Sequence, residues 1–75
     1  MTSIYDHPQN VYELQTALRF LRKTHKVMPL INPDGIYGAE TTEAVAEAQR
    51  YFGLSPTGRA DFEIWDLLFE NYFGF

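Results

Sequence analysis

Apolar residues in the first half of the chain recur at helical spacing. Val11, Leu14, Leu18 and Leu21 follow one another at intervals of three, four and three positions, which is one face of an α-helix. Asn10 stands where an N-cap belongs and Glu13 lies three positions later, approximating a capping box, so the first helix is predicted from Val11 to about His25. Gln15 borders this stripe; its amide either faces solvent or both donates to and accepts from the backbone of a nearby loop. A second stripe of Thr41, Ala44, Val45, Ala48 and Phe52 predicts a helix from Ala39 to Tyr51 or Phe52, opened by Gly38 and stopped by Gly53. Glu40 and Glu43 fall in its early turns, where the helix dipole favours acids. Ile64, Trp65, Leu67, Leu68 and Tyr72 mark a third helix that Asp61 can cap. The pattern predicts an all-α fold, a compact three-helix bundle over residues 10–72, with residues 1–9 as a lead and 73–75 as a tail of the same single domain.

Between the helices lie two glycine turns. Asn32 to Thr41 contains Pro33, which biases Asn32 to extended backbone, and Asp34, whose carboxylate can hydrogen-bond amides two or three residues on. Gly35 and Gly38 are expected to supply left-handed conformations, and Ile36 and Tyr37 to be partly buried and hold the turn onto the domain. Laying Thr57-Gly58-Arg59-Ala60-Asp61 over Asp34-Gly35-Ile36-Tyr37-Gly38 gives a weak repeat, with Gly58 and Glu63 as its identical positions and one helix after each turn. A phosphate cradle would need a preceding apolar strand and either a Gly-Lys-Ser/Thr ending or a third spaced glycine, and the stretch has none of these. In the loop from Lys26 to Pro33, the apolar Val27, Met28, Leu30 and Ile31 are expected to tuck inward.

Composition narrows the function classes. Six Phe, five Tyr and one Trp compensate for the absence of cysteine in a chain of 75 residues, near the lower size limit for unaided folding. No apolar run approaches the ~18 residues of a membrane span, and Met1 to Asn10 lacks the basic start and apolar centre of a signal peptide. A net charge of −4 argues against nucleic acid as a partner. Arg19, Arg22, Lys23 and Lys26 cluster nonetheless, and cations favoured by the unpaired carbonyls of a helix C-terminus explain them better than an anion site does. His7 and His25 have no neighbouring ligand set and read as surface histidines, so neither a metal nor another cofactor is expected. Glu40, Glu43 and Glu47 recur at helical spacing as a solvated face, with nothing to bury one and raise its pKa. A monomer without catalytic machinery is expected, since a bundle this small leaves little room for a cleft of about 300 Å³.

Taken in order, Val11-x-x-Leu14-Gln15-x-x-Leu18, Asp34-Gly35-Ile36-Tyr37-Gly38-x-x-Thr41, Ala44-Val45-x-x-x-Gln49, Gly53-Leu54, Thr57-Gly58, Asp61 and Trp65-x-x-Leu68 resemble the bacterial peptidoglycan-binding domain of the three-helix type. The same type precedes animal matrix metalloproteases, although without cysteine this chain cannot carry their thiol switch. The resemblance implies docked glycine turns, with Asp34, Gly35, Gly38, Thr41 and Gly58 as their structural residues. It also implies binding of cell-wall peptidoglycan, an extracellular or wall-associated location, and tethering of a linked wall-active hydrolase or transferase. Departures from the pattern are Ala48 where Phe is common, Ile64 for Thr, Asp61 for Gly, and a long loop from Lys26 to Pro33. Phe20, Tyr51 or the tail residues Tyr72, Phe73 and Phe75 are expected to fill the volume beside Ala48. Sugar rings pack on aromatic planes and stem-peptide carboxylates suit bidentate arginine, so Tyr37, Tyr51, Arg50 and Arg59 are the candidate contacts, bordering a shallow groove. The competing reading is a protein-interaction or spacer module that keeps the fold without the ligand.

Overall fold

The computed structural model describes residues 8–72, with side chains described from Asn10 to Glu70. Three helices make up its regular structure: α1 (Pro8–Leu21), α2 (Ala39–Tyr51) and α3 (Phe62–Tyr72). The fold is an all-α three-helix bundle in which α1 packs on both α2 and α3. Helix α1 begins before the predicted Val11, at Pro8. A proline at the first helical position has no amide to leave unpaired and a φ already set for the helix, so Asn10 falls inside the first turn instead of capping it. The helix also ends four residues early: Lys23 N–H bonds Phe20 O at 3.1 Å and Thr24 N–H bonds Leu21 O at 3.0 Å, tightening the last turn.

The core is built mainly from the predicted stripes, with Ala17 added and Leu67 left out. Leu14, Ala17, Leu18 and Leu21 meet Ala44, Val45 and Ala48 of α2 and Ile64, Trp65 and Leu68 of α3. Trp65 stacks on Phe69 with ring centroids 4.7 Å apart. The long loop after α1 buries Met28 and Ile31 while Val27 and Leu30 stay exposed, because its irregular path of turns and bends carries only some of its side chains inward. Ile36 is likewise 68% exposed, so of these two neighbouring side chains only Tyr37 packs against the core. Phe20 and Tyr51 are each about two-fifths exposed, while Ala48 is fully buried. The side chain of Tyr72, and Phe73 and Phe75, lie outside the described residues.

Helix α2 shows why its ends fall where they do. Gly38 is its N-cap, but with φ −106° it sits in ordinary extended backbone and not in the left-handed region expected of it. The C-terminus closes with Gly53 N–H on Arg50 O and Leu54 N–H on Gln49 O around a Gly53 φ of 78°, a Schellman arrangement. Asp61 Oδ1 accepts from Ile64 N–H at 3.3 Å and starts α3 as predicted.

The two left-handed glycines that follow α2 separate strain from sterics. A Cβ on Gly53 meets nothing within 4 Å, whereas one on Gly58 meets Thr42 Cγ2 at 2.7 Å and the Thr42 carbonyl oxygen at 3.2 Å. Gly53→Ala is therefore expected to lose about 1–2 kcal/mol from φ alone. Gly58→Ala should lose clearly more, because overpacking adds a further ~1–3 kcal/mol. Equal losses in chemical denaturation would contradict the close approach.

Candidate functional site

A single buried side chain holds each glycine turn. Gln15, 1% exposed on α1, accepts through Oε1 from the amides of Asp34 at 2.8 Å and Gly35 at 2.9 Å. Its Nε2 faces Ile36 O at 2.9 Å, Thr41 Oγ1 at 2.8 Å and Asp34 Oδ1 at 3.0 Å, two hydrogens shared among three acceptors. Asp34 Oδ1 also accepts from Ile36 N–H at 2.9 Å, and the Thr41 hydroxyl donates to Ile36 O at 3.3 Å. This is the donating and accepting amide that Gln15's place beside the apolar stripe allowed.

Gln49, equally buried on α2, repeats the arrangement. Its Oε1 accepts from Gly58 N–H at 2.9 Å while Nε2 donates to Arg59 O at 3.0 Å and Thr57 Oγ1 at 3.2 Å, and Thr57 Oγ1 in turn accepts from Arg59 N–H. Thr57, Gly58 and Arg59 thus occupy the roles of Asp34, Gly35 and Ile36, with φ of 77° at Gly58 and 78° at Gly35, except that Gln49 accepts from one turn amide where Gln15 accepts from two. The faint sequence repeat is a structural one. Sequence reasoning found the turns but not the role of Gln49; a second polar residue on an apolar stripe, ahead of the second glycine turn, was its only signal. Tyr37 ties the turns together by donating its hydroxyl to Gly58 O at 2.5 Å, and burial pushes that phenol above its ordinary pKa of 10.0.

The four candidate contacts separate into two pairs. Tyr37 lies against the second turn beside Arg59, whose backbone Gln49 clasps. Arg50 and Tyr51 lie at the end of α2, where Arg50 Nη1 bonds Glu47 Oε1 at 3.1 Å. His25, half-buried and not simply a surface histidine, places Nε2 2.8 Å from Glu47 Oε2 and its ring 4.9 Å from that of Tyr51. The hydrogen bond to His25, followed by that to Arg50, holds the Glu47 carboxyl below its ordinary range.

A feature the sequence reading placed elsewhere is a cleft of about 450 Å³ at the C-terminal end of α1, larger than a bundle of this size was expected to offer. Arg19, Arg22, Lys23 and Lys26 line it with Phe20 and Leu30. The basic side chains do not serve only the carbonyls of their own helix. Arg22 Nε donates to Met28 O at 3.2 Å, and Arg19 Nη1 makes long contacts of 3.4 Å to Ile31 O and Asn32 Oδ1, both across to the loop.

Three helices carrying two glutamine-held glycine turns define the class, a small helical domain built on a duplicated turn. The family model for the peptidoglycan binding domain matches residues 7–68, most of the chain, and the protein belongs to that family. No curated protein and no solved structure matches it significantly.

Two predictions test the clasps. Gln15→Leu strands the amides of Asp34 and Gly35, and Gln49→Leu strands that of Gly58, at roughly 1–3 kcal/mol for each buried group left unpaired. Denaturant titration should show both losses, with Gln15→Leu the larger; a neutral effect for either would mean water or a rearranged turn replaces the amide. The second prediction concerns pH. The backbone hydrogen bond from Ile36, then that from Gln15, holds the Asp34 carboxyl below its ordinary 3.8. The unfolded chain therefore binds more protons in that range, so this contribution is full above the unfolded pKa and is lost as pH falls through the folded one. Asp34→Asn keeps an acceptor without the titration, and its thermal midpoint should fall less between about pH 5 and about pH 2 than that of the wild type. Glu47 would account for part of what remains, and an unchanged acid slope would exclude Asp34 as a contributor.

Proposed function

We propose that this domain is a non-catalytic wall-binding module that holds a linked wall-active hydrolase or transferase against bacterial peptidoglycan, outside the cell. The observation that carries the reading is the family match over residues 7–68, and the duplicated clasped turn supports it because it presents a fixed surface from two loops. Tyr37, Arg50, Tyr51 and Arg59 are the proposed contacts. The Tyr51 ring is 42% exposed and is steadied by His25 on one side and by the edge of Phe52, 5.1 Å away, so it can offer a face to sugar C–H groups at small entropic expense. Arg59 projects from a turn whose backbone is already satisfied, and Arg50 is more than half exposed beside Tyr51, so both are placed to donate to polar groups of the polymer.

The net charge of −4 favours a second reading, a protein-interaction or spacer module, because an acidic domain gains no long-range attraction to anionic wall polymers. Sedimentation with purified sacculi separates the two. The wild type should pellet, and Arg50→Ala combined with Arg59→Ala should weaken retention roughly tenfold while remaining folded by circular dichroism. A wild-type domain that stays in the supernatant would overturn wall binding in favour of the second reading. Unaltered retention of the double variant would remove the two arginines from the contact surface.

A further inference from the structure

Four of the six basic residues of the chain, Arg19, Arg22, Lys23 and Lys26, converge on the cleft at the end of α1. Among the described residues no acid lines it, although the chain carries ten. Among the described residues none of the four forms an ion pair, in contrast to Arg50, whose guanidinium already faces Glu47. The cleft is also preorganised. Arg22 is held to the loop through Nε alone, and Arg19 approaches the loop through Nη1 at 3.4 Å. Lys23 Nζ sits 4.9 Å from the centre of the Phe20 ring, which orders the ammonium without neutralising it. Phe20 and Leu30 give the same cleft an apolar wall that remains exposed to solvent.

We propose that this cleft binds a short peptide bearing two or more carboxylates on aliphatic carbons, the chemistry of a peptidoglycan stem peptide. Stem carboxylates then sit here, and not at Arg50 and Arg59. Two planar guanidiniums match planar carboxylates edge to edge, two ammonium groups add charge without a fixed direction, and Phe20 with Leu30 covers the methylenes between the carboxylates. A bare phosphate would satisfy the charge and leave that apolar wall uncovered. The assignment rests on the wall-binding reading and names the part of the polymer and the surface that meets it.

The test is an NMR titration of the chain with soluble alanyl-γ-glutamyl-diaminopimelate, with its carboxyl-amidated counterpart, and with inorganic phosphate. The tripeptide should shift amides between residues 19 and 30, and amidation should weaken it about tenfold. Lys23→Gln with Lys26→Gln, which touches no bond to the loop, should weaken it severalfold, and Arg22→Lys should do so despite its retained charge. Shifts centred on Tyr51 or Arg59, or phosphate binding as tightly as the tripeptide, would overturn the assignment. Absence of shifts in a domain that still pellets with sacculi would overturn the cleft alone; absence of both would overturn wall binding and the cleft together.

Discussion

The fold depends on one kind of contact, a buried glutamine amide that closes a turn. A glycine turn docked against a helix bundle leaves amides and carbonyls facing the interior, where each unpaired group costs about as much as a hydrogen bond is worth. Only a side chain that both donates and accepts can meet such a turn from a single position, and the neutral amide does so without burying a charge. Gln15 and Gln49 do this from α1 and α2, and the Tyr37 hydroxyl on Gly58 O makes the two turns one unit. With no cysteine in the chain, these amides fix the loops where another small domain would use a disulfide. The cramped approach of Gly58 to Thr42 follows from the same docking.

Legibility in the sequence tracks how local the cause is. The inward stripes of all three helices, the Gly53 stop and the left-handed Gly35 are set by periodicity and backbone sterics within a few residues, and each was readable. Gln15 was readable as one of two alternatives because it interrupts an apolar face. Gln49 was not, since the turn it clasps resembles the first turn at a single glycine. Ile36, Val27 and Leu30 misled for the opposite reason: apolarity predicts burial on average, while the path of an irregular loop decides which of its residues turn inward. The cleft was hidden by the end of α1. Had the helix run to His25, Lys23 and Lys26 would have flanked its last carbonyls; ending at Leu21, it leaves them on a turn that folds back beside Arg19 and Arg22.

That early helix end also shapes the electrostatics. With four cations gathered at one end, the nine acids among the described residues share the remaining surface with only Arg50 and Arg59, and Arg50 is paired with Glu47. The net charge of −4 therefore describes no actual face of the molecule. If the proposed partner is an anionic polymer, its field would favour approach by the basic cleft end over the rest of the acidic surface. Screening confines this preference to about 8 Å at physiological ionic strength, less than the length of any of the three helices at ~1.5 Å per residue. Orientation would then be decided close to the surface, where Arg22 is held in advance through its Nε bond to Met28 O and Arg19 makes only long contacts to the loop. A side chain that is structural through one nitrogen and available through the others loses less freedom on binding than a lysine free along its whole length.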